Sequence, residues 1–233
     1  MLDLPPLKIL FEDDHILVVF KPHRVPVQTD ETGHPTLFAQ ICVWLKEQSK
    51  SSERVYLGMV HRLDRAAAGL LVFAKNSGTT TDLSAQFRER IIGKIYEALV
   101  EGTPKNPIGH LVHYLSYPAD GPTTISEAQI PGAKRAELEY QVLESYEKNS
   151  LVRIKLLTGR RHQIRAQIAE IGYPLLGDGR YGATTPYLPG SIALVAQELH
   201  FRHPHTKLEM QFHLPLELSS IRNFWRELPS SKL

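Results

Sequence analysis

Two runs of alternating polarity constrain this chain more tightly than anything else in it. Across residues 136–143, Leu138, Tyr140 and Val142 fall on one face; across residues 151–157, Val152, Ile154 and Leu156 oppose Arg153 and Lys155. A period of two belongs to a strand with one face in a core and the other in water. The pair therefore reads as neighbouring antiparallel strands of a half-buried sheet. Shorter apolar runs at 9–12 and 16–20 flank the acidic turn Asp13-Asp14-His15 and add two strands, with Lys21-Pro22 ending the second. Residues 70–74, 94–100 and 207–214 add three more, while 192–199 fits helix or strand equally.

Helical spacing separates these strands. Leu37, Phe38, Ile41, Cys42 and Leu45 make one apolar face and predict a helix over 35–48, with Cys42 in its core side. Leu83, Phe87 and Ile91 mark a second helix, and Ile164, Ile168 and Ile171 a third over 161–171. A final helix carries Leu218, Ile221, Phe224, Trp225 and Leu228. Residues 103–132, rich in proline and glycine, read as an irregular excursion holding at most a small hairpin, and 174–187 as loop.

Composition then narrows the class. A length of 233 residues with 42% apolar content predicts one globular domain over 1–233. No run of 18 apolar residues occurs, so no membrane partner is expected, and the first residues do not resemble a secretory signal; the expected compartment is cytoplasmic. The one cysteine, Cys42, excludes an intramolecular disulfide and a cysteine-rich zinc site. His200, His203, His205 and His213 lack the spacing of a catalytic zinc helix. A net charge of +2 means that any nucleic-acid footprint must be local.

Two stretches supply that local charge. In His61-Arg62-Leu63-Asp64-Arg65 an aspartate sits between arginines, just before the apolar run at 70–74. Guanidinium groups suit phosphate oxygens, and a carboxylate in such company suits the floor of a cleft. From Lys148 to Gln167 the chain carries six basic residues and no acidic one. Thr158-Gly159 stands before the third helix, and Arg161 and Arg165, four apart, are expected to share a helical face; a phosphate-binding helix start is the expectation.

Read together, these motifs resemble the ribosomal large-subunit (RluA-type) RNA pseudouridine synthases. The resemblance rests on His61-Arg62-Leu63-Asp64-Arg65 with Gly69-Leu70-Leu71, then Lys94-Ile95-Tyr96 with Leu99-Val100-Glu101-Gly102. It continues in residues 157–165 with Gly177-Asp178 and Tyr181-Gly182, and ends in residues 199–204. The blocks keep the family order and span residues 9–214. Four places depart from the usual pattern: Ala66-Ala67-Ala68 stands where a hydroxyl-bearing run is usual, Gln167 and Gln28 replace histidines, and Arg24 replaces a glycine.

The resemblance implies an α+β pseudouridine synthase catalytic fold: a mixed, largely antiparallel, bent sheet flanked by helices, with a central cleft. It implies isomerisation of a uridine in structured RNA, a tRNA or rRNA stem-loop, with base flipping. No cofactor, no metal and no obligate protein partner are required, and substrate recognition falls to the catalytic domain, chiefly 103–132 and 183–191, since little chain precedes the first strand. Asp64 is then the catalytic carboxylate, acting at ribose C1′ or C2′, with Arg165 as its cationic partner. Tyr96 stacks on the uracil and assists proton transfer at C5, and Leu157 packs beneath the base. Arg62 fills the vacated stack or contacts phosphate, and Arg65, Arg160 and Arg161 bind phosphates. His61, His162 and His200 support the site rather than act as bases. The alternative expectation is a non-catalytic RNA-binding or ribosome-assembly module, which has no need of Asp64.

Overall fold

The computed structural model describes residues 4–29, 33–49, 55–118 and 121–227. In chain order the elements are β1 (Lys8–Glu12), β2 (Ile16–Lys21), α1 (Leu37–Ser49), β3 (Gly58–Met59), β4 (Ala68–Ala74) and α2 (Ser77–Arg88). There follow β5 (Gly93–Glu101), β6 (Ile108–Ser116), β7 (Thr124–Ser126), β8 (Lys134–Tyr146), β9 (Asn149–Leu156) and α3 (Gln163–Glu170). The last are β10 (Leu194–Arg202), β11 (Glu209–His213) and α4 (Ser220–Glu227). They fall into two compact units, one of Met1–Ile92 with Glu198–Leu214, the other of Gly93–Gln197 with Pro215–Leu233.

In the first unit β2 pairs β1 and β4, both antiparallel, and β3 also pairs β4. Every residue of β4 is buried, and Ile16 to Val19 of β2 are wholly so. Continuous apolar runs of this kind mark strands covered on both faces. Leu37, Ile41 and Leu45 of α1 and Leu83 of α2 join that core. Asn76 starts α2 by accepting the Thr79 amide at 2.9 Å, and the Thr36 hydroxyl accepts the Ala39 amide at 3.1 Å at the head of α1. Cys42 is half-buried, and Ile91 lies exposed beyond the end of α2 rather than on its apolar face. Leu208 is also exposed, outside β11.

The second unit carries a sheet in the order β5-β9-β8-β6-β7, antiparallel at every pairing. The alternating runs behave as their pattern demands: Leu138 faces Leu156 and Tyr140 faces Ile154 across β8 and β9. The excursion at 103–132 is more regular than expected. Its β6 matches β8 over eight positions, from Ile108 opposite Gln141 to Leu115 opposite Lys134, and its end forms a hairpin with β7. Gly109 permits this, because a Cβ there would stand 2.2 Å from the Tyr140 ring. The ambiguous run at 192–199 becomes the strand β10. α4 docks through buried Ile221 and Trp225, and Arg222 grips Glu97 of β5 with two hydrogen bonds, one of 2.8 Å. Leu228 lies outside the described residues. The fold is α+β with a mostly antiparallel sheet, as expected.

Candidate active site

The expected site residues form two groups, one in each unit. In the first, the Ala67 amide donates to the Asp64 carbonyl at 3.1 Å, closing a tight turn that leads straight into β4. The turn is held from below. Lys21, wholly buried at the end of β2, donates from Nζ to the carbonyls of Val25 at 2.8 Å, Pro22 at 2.9 Å and Arg65 at 3.2 Å. Its register partner on β4 is Gly69, which has no side chain and a φ of 126°. The Arg24 amide donates to the Arg65 carbonyl at 2.8 Å, Arg65 Nε returns a bond to the Arg24 carbonyl at 3.2 Å, and His23 Nδ1 donates to the Ala66 carbonyl at 2.7 Å.

One departure from the family pattern lies in this network. Arg24 has a φ of 67°, in the left-handed region that glycine occupies without strain. Asp64 itself is half-buried, while Arg62 and Arg65 are exposed. His61 Nε2 accepts the Val72 amide at 3.0 Å and its ring stacks on Phe87, so the imidazole supports the strand beneath the turn. Lys21 carries the most perturbed cation of this group. Burial pushes its pKa down to about 7, and the nearby Asp64 charge resists that shift.

In the second unit Tyr96 is buried on β5 opposite Ile154, and Leu157, half-buried, follows directly on β9. The loop from Thr158 to His162 is folded inward on itself. The Thr158 hydroxyl accepts the Glu137 amide at 2.8 Å and donates to Gln163 Oε1 at 2.8 Å, and Gln163 Oε1 also receives the Arg160 amide at 3.0 Å. Helix α3 therefore starts at Gln163, two residues later than its apolar spacing suggests, after a left-handed His162 with a φ of 54°. Arg161 precedes the helix and is exposed while Arg165 is buried, so the two do not share a helical face. The helix start also has no free threonine to offer a phosphate, since Thr158 is committed inside. Arg160 is tied by Nε to the Arg135 carbonyl at 3.1 Å.

Arg165 has a partner that sequence reasoning did not assign. Asp178 receives Nε at 2.6 Å and Nη2 at 2.8 Å in a two-pronged, buried ion pair. The guanidinium also lies over the Tyr181 ring, 5.1 Å from its centre, and the Tyr181 hydroxyl binds His162 Nδ1 and the Thr123 amide at 3.0 Å each. Gly177 makes this loop possible: its φ is 80°, and a Cβ would stand 2.5 Å from the Ser191 carbonyl oxygen. Gln167, where the family pattern has a histidine, is wholly buried and bonds Gln163 and His113. The loop at 183–191 is pinned by Glu101, whose carboxylate receives the Thr184 and Thr185 amides. Burial raises that carboxyl's pKa, but these hydrogen bonds outweigh it and hold it below the usual range.

The comparisons with known proteins follow the same residues. The family model described as RNA pseudouridylate synthase matches residues 15–170. A ribosomal large subunit pseudouridine synthase D from Nitrosomonas europaea is 34% identical over 98% of this chain and 68% of its own length. The protein of the same name from Pseudomonas aeruginosa is 36% identical over 90% of this chain and 68% of its own. The chain thus spans about two thirds of the length of the curated relatives it matches. Among solved structures, human RNA Pseudouridylate Synthase Domain Containing 4 superposes with a TM-score of 0.76 at 23% identity, over 96% of this chain and 95% of that one, a likeness of fold.

Proposed function

The chain belongs to the RNA pseudouridylate synthase family, and from that premise we propose that it isomerises a uridine of ribosomal RNA with Asp64 as the essential carboxylate. Membership makes it an RNA pseudouridine synthase, an isomerase. The observation that carries the finer reading is the Asp64 turn itself. A half-buried carboxylate in the matched segment stands on a turn braced by a wholly buried lysine, which donates to the Arg65 carbonyl of the turn and to the Pro22 and Val25 carbonyls of the adjoining loop. Ribosomal RNA is suggested by the names of the two bacterial relatives, with the cytoplasm as the working compartment. Among the described residues, no helix is long and apolar enough to cross a membrane.

In this reading the N1–C1′ bond of uridine breaks, C5 bonds to C1′, the C5 proton leaves and N1 gains one. Asp64 starts the cleavage at ribose C1′ or C2′. Tyr96, buried on β5, presents its ring to the detached uracil and its hydroxyl to the C5 proton, with Leu157 packed beneath the base. Arg165 serves the reaction as a cation whose orientation Asp178 sets. The base must leave its stack to react, so Arg62 takes the vacated space or a neighbouring phosphate, and Arg65, Arg160 and Arg161 hold the backbone.

The test follows from the proton balance. Ribosomal RNA carrying tritium at uridine C5 releases it only when C5 becomes bonded to C1′. The purified chain releases the label from one or a few sites, Asp64→Ala and Asp64→Asn release none, and both variants still bind the RNA. Label release by Asp64→Ala at the normal rate contradicts the assignment.

A further inference from the structure

The first unit also holds a cluster with the chemistry of a metal site, and it includes His200, which the resemblance casts only as a support. Glu198 and His200 stand two apart on β10 and so project from the same face, and His213 of β11 is the register partner of Glu198. His200 Nε2 lies 3.3 Å from Glu198 Oε2, and His213 Nδ1 lies 3.6 Å from Glu198 Oε1. All three ligand atoms lie within 4.8 Å of one another. A tetrahedral ion with bonds of about 2.0–2.1 Å holds its ligand atoms about 3.4 Å apart. Each imidazole already lies within a few tenths of an ångström of that spacing from one of the two Glu198 oxygens, and rotation of the carboxylate and the rings brings one ligand atom of each residue around a single ion. We propose that Glu198, His200 and His213 bind one divalent transition-metal ion of the zinc class and so fasten β11 to β10.

Three features of the surroundings support a built site. The Glu198 side chain is only 8% exposed, and a carboxylate held out of water is stabilised by a cation at hand. The His200 and His213 side chains are 38% and 56% exposed, so an ion reaches them from solvent and water completes its shell. The Gln211 amide nitrogen stands 2.7 Å from His213 Nε2, and turning the amide over exchanges it for the oxygen. With its oxygen turned to the ring it accepts the Nε2 proton and leaves the Nδ1 lone pair facing the carboxylate, the outer hydrogen bond that metal-bound imidazoles commonly make. Two imidazoles and a carboxylate favour zinc, cobalt, nickel or copper over calcium or magnesium.

The neighbouring histidines are spent otherwise. His203 donates from Nε2 to Asp13 at 2.8 Å and accepts the His205 and Thr206 amides at Nδ1, and His205 stacks on His15. The resemblance calls for no metal in the reaction, and spacing along the chain does not reveal that Glu198 and His213 face each other across two strands.

The full chain, stripped with chelator and desalted, is titrated with Co2+ alone and then with Zn2+ alone. The proposal predicts one equivalent of Co2+ bound at micromolar concentration with the visible bands of a four-coordinate ion, displaced by Zn2+. It also predicts a rise in Tm with Zn2+ that chelator reverses. His213→Ala, at an exposed position that leaves the fold intact by circular dichroism, weakens binding at least tenfold, as does Glu198→Gln. His205→Ala leaves binding unchanged. No stoichiometric binding by the unaltered chain, or equal binding by His213→Ala and Glu198→Gln, overturns the proposal.

Discussion

Beneath the Asp64 turn, Lys21 faces a conflict between its charge and its burial, and the conflict has a sign. Its pKa in the folded chain, about 7, lies below the ordinary 10.5, so between those values the unfolded chain binds a proton that the folded chain does not. Stability contributed by this group therefore rises with pH across that window and is least below it. Relative to Lys21→Met, the unaltered chain is predicted to gain on the order of 2 kcal/mol or more in unfolding free energy between about pH 7 and pH 10. Denaturant titrations at a series of pH values check it, and a difference that stays flat is the contrary result. The Asp64 charge resists the lowering, so Asp64→Asn extends the lower edge of the window to lower pH. Asp178 is the other residue whose loss tells. Removing one partner of a buried ion pair leaves the other uncompensated, and Asp178→Ala should cost about 3–5 kcal/mol in chemical denaturation. Asp64, Tyr96 and Arg165 were legible in the sequence as motif residues. Lys21 and Asp178 were not legible in their roles, because Lys21 meets Arg65 across 44 residues of chain and a lysine ending an apolar strand reads as a stop.

Among the elements, legibility followed periodicity. β8 and β9 were read from alternation alone, and α1 from its apolar face. β6 was legible only as part of a small hairpin, not as a nine-residue strand along β8, because its signal is diluted: Ile108 and Val112 are exposed, Gly109 interrupts the run, and prolines surround it. The start of α3 was misplaced because side chains, not apolar spacing, decide it. Thr158, Gln163 and Glu137 tie the preceding loop inward and delay the helix by two residues. α4 shows the opposite case, a helix tied into the second unit by polar pairs as well as by its apolar face. Glu97 is almost wholly buried and bonded twice by Arg222, while Trp225 Nε1 donates to Glu144 at 2.7 Å. Arg222→Ala strands the Glu97 carboxylate and is predicted to destabilise the protein by about 3 kcal/mol. Proteolytic cleavage within Ser220–Glu227 should rise accordingly; unchanged cleavage and an unchanged Tm would show that apolar docking by Ile221 and Trp225 suffices.

For the whole molecule, a formal charge of +2 gives no general attraction to RNA, so affinity must come from a few local cations. Arg161 is exposed and Arg160 keeps its terminal nitrogens outside the bond to Arg135. Removing one phosphate-binding side chain flattens the dependence of log affinity on log salt by about 0.7–0.9, so the Arg160→Ala/Arg161→Ala protein should show a slope shallower by roughly 1.5. Filter binding across a salt series measures it, and an unchanged slope removes both arginines from the interface. The fold class and family were legible from ordered motifs along the chain, whereas the anchoring network around each motif emerges only when distant segments meet. The central claim is that Asp64 carries the isomerisation of a ribosomal uridine. It is tested most directly by mapping pseudouridines in the RNA of a strain lacking the gene, complemented with the unaltered gene or with Asp64→Ala. The expected result is a ribosomal site that disappears with the gene and returns only with the unaltered protein; a site restored equally by Asp64→Ala would contradict the claim.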